Sequence, residues 1–231
     1  MSNGNLMNKD WEVNMSTAIE QYWQIRLADL KKALEANNFE VFLANNADEV
    51  KKIVFEEIIP AVKPAVVSWG TSMTSMETGL HAALKASTAF KTIETSDKTI
   101  SWDENVERRR QSLLADLFIT GTNAITENGE LVNLDGTGNR VAGLTFGPKN
   151  VIVLASRNKV VADLDEAMRR IKNYAAPVNA IRLNRKTPCV KTSYCEECKS
   201  TERICNTWAI TEKSAPKGRV KVILINQDFG L

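Results

Sequence analysis

The sequence predicts an α/β protein, a mainly parallel sheet with helices on both faces. Three observations predict it. Short apolar runs of strand length, "AVVSW", "DLFITG", "NVIVLAS" and "VNAIRL", recur along the chain, and near-continuous apolarity is how strands buried on both faces read. Amphipathic stretches of helical period separate them, an alternation for which a parallel sheet is the natural solution. The 231 residues, 43% hydrophobic and 25% charged, suffice for one sizeable core.

The elements follow in order. Residues 1–15 are expected to form a flexible N-terminal segment, and 16–231 a single domain. From Ser16 to Asn37, Ile19, Tyr22, Trp23, Ile25, Leu27, Leu30 and Leu34 recur at mainly helical spacing, and Asn37 and Asn38 supply the stop. This helix should pack on the domain or on a second subunit. "FEVFLA" alternates like a strand; Asn46 can cap "ADEVKKIVFEEII", which Pro60 and Pro64 are expected to close. After "AVVSW" come a loop and helix in "GTSMTSMETGLHAALKAS", strand "AFKTIET", helix "WDENVERRRQSLLA" and strand "DLFITG". Asn128 and Gly129 signal a hairpin. A Gly-rich loop, strand "NVIVLAS", helix "VADLDEAMRRIKNYA", strand "VNAIRL", a cysteine segment at 186–208 and strand "RVKVILI" complete the order.

Composition excludes several function classes. Thirty basic and 28 acidic side chains are interspersed to a net charge of +2, whereas a nucleic-acid surface needs a concentrated basic face. No run approaches the roughly 18 apolar residues of a membrane span, and "MSNGNLMNKDWEVN" lacks the apolar core of a signal peptide. A cytoplasmic protein with neither nucleic-acid nor membrane partners is expected.

Two Gly-bearing loops follow buried strands, where open α/β sheets keep their ligands. In "SWGTSMTSMETG", Gly70 permits close backbone approach, and Thr71 and Ser72 offer hydroxyls beside a helix start. That suits an anion, while a cap plus a turn explains the same residues. "FITGTNAITENGELVNLDGTGNRVA" puts Thr122 and Asn123 at a strand end, then a hairpin, then Gly136, Gly138 and Arg140 in a turn into a helix. Asn123 can donate and accept, and Arg140 can fix a carboxylate or phosphate. Gly70, Thr71, Ser72, Asn123, Gly136, Gly138 and Arg140 are therefore expected to line one pocket for an anionic small molecule. Glu127 is a candidate base or nucleophile, although a solvated hairpin position accounts for it as well. His81, the sole histidine, lies on the apolar face of "GLHAALKA" and reads as structural.

All four cysteines sit in "CVKTSYCEECKSTERIC", at Cys189, Cys195, Cys198 and Cys205. In a reducing compartment such clustering points to thiolate coordination rather than disulfides. Four thiolates suit an iron-sulfur cluster or tetrahedral zinc. With a single C-x2-C pair, where zinc ribbons usually have two, the iron-sulfur cluster is favoured and zinc is the alternative. Lys191, Lys199 and Arg203 are placed to offset the thiolate charge. Four ordinary thiols in a polar segment remain the plain alternative.

The stretches "FEVFLANNADEV", "SWGTSMT", "ADLFITGTNAITENGELVNLDGTGNRVAGLTFGPKNVIVLASRNKVV" and "AAPVNAIRL" resemble the LUD domain of lactate-utilisation proteins, in particular lactate-utilisation protein C. The resemblance implies a Rossmann-like sheet of the superfold shared by ribose-5-phosphate isomerase, glucosamine-6-phosphate deaminase and the coenzyme A transferases. It implies a cleft formed by the loops at Gly70, Thr122 and Gly136. Sugar-phosphate isomerases of that fold carry an Asp where Asn123 stands, and Asn cannot transfer a proton at neutral pH. Two functions follow as expectations: an accessory or redox-associated component of L-lactate oxidation to pyruvate, working with iron-sulfur subunits, or a binding module for a phosphorylated or acyl metabolite. A homo-oligomer fits either.

Overall fold

The computed structural model describes the backbone of residues 6–231 and the side chains from residue 15 onward. The segment 1–15, expected to be flexible, lies partly outside the described residues, and helix α1 (Leu6–Ala36) starts ahead of Ser16. Leu27, Leu30 and Leu34 of α1, three and four residues apart, are buried, whereas Ile19, Tyr22 and Ile25 are exposed. Strand β1 (Glu40–Ala44) follows. Asn46 then caps α2 (Ala47–Lys52) by accepting from the Asp48 and Glu49 amides. A π turn (Ile53–Ile58) carries the helix into α3 (Ile59–Val62).

Pro60 therefore lies inside a helix that the sequence led us to end there. A proline lacks the amide hydrogen, and its ring crowds the carbonyl four residues back. In the wider π register the Ile59 amide reaches the Val54 carbonyl, which eases that crowding before the proline arrives. The chain continues through β2 (Val66–Trp69), α4 (Met73–Glu77), α5 (Leu80–Ala86), β3 (Lys91–Ile93), α6 (Trp102–Ser112) and β4 (Leu117–Gly121). The hairpin β5 (Ala124–Thr126) and β6 (Leu131–Asp135) turns at Asn128 and Gly129, where Gly129 has φ 86°. Next come α7 (Asn139–Thr145), β7 (Asn150–Ser156), β8 (Val160–Val161) and α8 (Leu164–Arg170).

A second π turn (Ile171–Ala175) joins α8 to α9 (Ala176–Arg182), so "VNAIRL" is helical and the strand reading of it is corrected. The reason repeats that at Pro60: the Ala176 amide reaches the Ile171 carbonyl, and Pro177 fits at the start of the next turn. Ile171, Ala175 and Ala180 form the buried stripe of this composite helix. Last come α10 (Cys189–Thr192), β9 (Thr207–Thr211) and β10 (Val220–Ile225).

Among the described residues the main sheet has six parallel strands in the order β1-β10-β7-β4-β2-β3. Alternation along each strand feeds two cores. Val151, Val153, Val222 and Leu224 meet α1 and α7 on one face through Leu27, Leu30, Leu34 and Leu144. Ile152, Leu154, Ile223 and Ile225 meet Val50, Val54, Leu80 and Leu84 on the other. The expected class, a parallel sheet with helices on both faces, is what the chain adopts. A smaller sheet, ordered β8-β5-β6-β9, carries a third cluster of Val132, Val161, Ala167 and Ile171, against which Cys205 packs. No described helix is long and apolar enough to cross a membrane.

Candidate functional site

Strand order fixes where the site lies. From β2 the chain moves outward to β3, then returns to place β4 on the other side of β2 and continues to β7 and β10. The direction reverses between β2 and β4, and a crevice opens at their carboxyl ends. Gly121, the last residue of β4, permits the two loops to approach: a Cβ there would stand 2.6 Å from the Ser72 hydroxyl. The crevice widens into a cleft of about 500 Å³ lined by Thr71, Ser72, Asn123, Gly136 and Arg140 together with residues the sequence reading did not single out.

Each sequence-identified residue has a definite place. Ser72 caps α4 by accepting from the Ser75 amide at 3.3 Å, so the cap reading accounts for its hydroxyl. Thr71 shares a hydrogen bond with Ser96 at 3.2 Å. Gly70 and Gly138 do not line the cleft. A Cβ at Gly70 would stand 2.9 Å from Arg140 Cγ, so this glycine makes room for the arginine stem. Gly138 adopts φ 84° to start α7, a conformation glycine reaches at no steric cost.

Arg140 is buried, and its guanidinium is shared among protein acceptors. Nη1 donates to the Gly121 carbonyl at 3.2 Å and to Asn133 Oδ1. Nη2 donates to Asn123 Oδ1 at 2.8 Å and to the Leu134 carbonyl at 3.3 Å, and Nε faces Asp135 at 3.4 Å. These contacts engage all five of its N–H groups. Burial lowers its pKa, with Asp135 opposing. The arginine thus organises the wall by fixing Asn123, whose Oδ1 also accepts from the Leu134 amide at 2.9 Å and whose own amide donates to Asn133 Oδ1 at 3.2 Å. Among the described residues no acceptor takes the Asn123 Nδ2 hydrogens, and they belong to a cleft-lining side chain.

Lys159 was missed by pattern reading. It follows the carboxyl end of β7, lines the cleft, and is only 4% exposed. Its Nζ donates to Thr74 Oγ1 at 2.6 Å. Burial, then Arg170 and Arg140, with Glu77 opposing, push its pKa down to about 7. Arg170 braces the neighbourhood by donating to the Asn123 carbonyl at 2.8 Å and the Asn158 carbonyl at 2.8 Å. The sequence signal was a charged residue just past a buried strand beside the switch point. Arg109, Arg182, Arg185 and Arg203 also line the cleft. Against these cations stand two described carboxylate side chains, Asp135 paired with Arg140 and Glu202 accepting from the Lys186 amide. The field in the cleft is positive although the chain is nearly neutral.

Glu127 lies outside the cleft, ion-paired with Arg26 of α1, so its hairpin reading accounts for it. His81 packs edge-on against Trp69 with ring centroids 4.8 Å apart and faces Glu94 at 3.8 Å, a structural setting.

The four cysteines border one small apolar cavity of about 20 Å³ beneath α9, together with Lys172 and Arg203. Lys172 and Arg203, rather than Lys191 and Lys199, are the cations at this cavity. None of the cysteines is in a disulfide, and burial raises the Cys195 pKa. As placed, no three of the described His, Cys, Asp and Glu side chains gather closely enough to hold a metal ion. Ala176, Arg203 and Ile204 border both this cavity and the cleft. Arg203 donates to the Cys198 and Cys205 carbonyls at 2.8 and 2.7 Å, tying the segment together.

The LUD domain family model matches residues 27–225. No protein of curated function matches the chain. Among solved structures, a DUF162 family protein from Deinococcus radiodurans aligns at 13% identity and TM-score 0.49, covering 88% of this chain and 98% of that one. A D-ribose-5-phosphate isomerase solved with phospho-erythronic acid aligns at 20% identity and TM-score 0.31, over 52% of this chain and 56% of its own. The ribose 5-phosphate isomerase of Plasmodium falciparum aligns at 18% identity and TM-score 0.25, over 50% and 54%.

Proposed function

Because this chain belongs to the LUD domain family, we propose that it is a cytoplasmic lactate-utilisation protein whose cleft binds a small anionic metabolite and whose cysteine segment holds a redox centre. The single observation that carries the cleft reading is Lys159, a lysine buried at the strand ends beside Arg140 and Arg170. Burying like charges together is costly unless an anion compensates them. Lys159 is also the group there suited to exchange a proton near neutral pH, given its pKa of about 7. Asn123, held by Arg140, orients the ligand through Nδ2. The role in this reading is an accessory part of L-lactate oxidation to pyruvate, with iron-sulfur subunits as partners.

The chemistry of the donor set, not its present spacing, supports a soft metal centre: four cysteines border one cavity together with Lys172 and Arg203, whose charge would offset that of thiolates. Cys189, Cys195, Cys198 and Cys205 would hold an iron-sulfur cluster, or alternatively zinc. When bound, a cluster supplies one-electron transfer and zinc supplies a cross-link. Protein prepared without oxygen should contain iron and sulfide in stoichiometric amounts, or zinc. Substoichiometric values for all three, with four freely alkylated thiols, would sink the metal reading.

A second reading, a non-catalytic binding module for a phosphorylated or acyl metabolite, is favoured by one observation: both described carboxylate side chains of the cleft are already engaged. Colourless protein that retains such a metabolite supports it. Both readings share the anion site, which a pH series tests. Sulfate keeps its charge over the range used, so its affinity should fall between pH 6 and 8 as Lys159 loses its proton. An affinity constant over that range would remove Lys159 from the site.

A further inference from the structure

We infer that the cleft is built for a nucleotide, with the phosphate among the buried cations and the base against Trp102. The inference rests on the anion-cleft reading and names its ligand class. Trp102 stands at the start of α6 and is 61% exposed, yet it lines the same cleft as Lys159. A large ring left in water at a cleft wall is surface to which a flat group can stack. Arg109 lies over this ring, 5.3 Å from its centroid, and its Nη1 donates to Thr137 Oγ1 at 3.4 Å. The guanidinium thereby joins the aromatic wall to the Gly-rich loop.

Size points the same way. The cleft measures about 500 Å³, within the roughly 300–1,000 Å³ range of sites that enclose drug-sized ligands. A three-carbon acid has six heavy atoms, and even at the roughly 30 Å³ share of a water molecule for each it leaves most of that space empty. A phosphate, a sugar and a planar base together use the polar floor, the hydroxyls and the tryptophan.

Calorimetric titration of the full chain with AMP, ribose 5-phosphate and inorganic phosphate at pH 6.5 tests this. AMP should bind about tenfold tighter than ribose 5-phosphate, in keeping with base–aromatic stacking. Trp102→Ala should remove that advantage without changing phosphate affinity, and Trp102→Phe should keep part of it. Because the side chain is mostly exposed, neither substitution threatens the core. Equal affinities for AMP and ribose 5-phosphate, with phosphate still bound, overturn the nucleotide inference and leave the anion cleft standing. Equal losses of AMP and phosphate in Trp102→Ala also overturn it. Failure of all three ligands to bind takes the anion cleft down with it.

Discussion

Lys159→Met raises the stability of the protein and lowers its affinity for anions. The lysine has a pKa of about 7 when folded, against its ordinary value of 10.5. The unfolded chain therefore holds a proton that the folded chain gives up between about pH 7 and 10.5. Stability rises with pH across that window, and the full penalty applies below it. At about 1.4 kcal/mol for each tenfold change in proton affinity, the penalty near neutral pH is at most roughly 4–5 kcal/mol. The lost hydrogen bond to Thr74 offsets about 1 kcal/mol of the gain. A net increase of about 2–4 kcal/mol at pH 7 is expected, along with loss of the pH slope between 7 and 10.5. Denaturant unfolding at pH 7 and pH 10 measures both; equal stability of the two proteins at pH 7 would contradict the burial argument. Gain of stability with loss of binding is the signature of strain kept at a functional position.

Arg140→Met has the opposite effect on stability. It removes the donors for Asn123 Oδ1, Asn133 Oδ1, two carbonyls and Asp135 at once. Breaking a buried pair leaves an uncompensated charge, at a cost of about 3–5 kcal/mol. The sequence assigns Arg140 to fixing a carboxylate or phosphate; with its N–H groups engaged by protein acceptors, the larger effect of replacing it is on stability. Adding Asp135→Asn to Arg140→Met should restore part of the loss, because the orphaned carboxylate is then gone. A thermal midpoint that does not move in Arg140→Met would refute this account.

The parts legible in sequence were those where a single physical cause dominates. β4, β7 and β10 read as strands because burial on both faces makes them almost continuously apolar. The cleft loops were found from their position at strand ends, since topology alone brings Thr71, Ser72, Asn123, Gly136 and Arg140 together. "VNAIRL" was misread because a π turn before Pro177, which propensity does not announce, keeps the helix going. β9 was overlooked because it is half exposed, with Trp208 and Ile210 reaching solvent. Lys159 escaped because lysine ordinarily belongs on the surface. Gly70 drew notice as a ligand-facing glycine, whereas its neighbour across the gap is the stem of Arg140.

The place of β10 in the sheet sets a schedule for biosynthesis. It lies between β1 and β7 and supplies the hydrogen-bonded neighbour of β1. β1 is complete at Ala44, but β10 does not begin until Val220. At about 5–20 residues per second, a ribosome takes on the order of ten to thirty seconds to cover that interval. During this wait the edge of β1 that β10 will occupy stays unpaired, joined by that of β7 once Ser156 is made, and such edges recruit other strands. The nascent chain therefore carries an unpaired β1 edge throughout the synthesis of residues 45–219, and slower elongation lengthens the exposure.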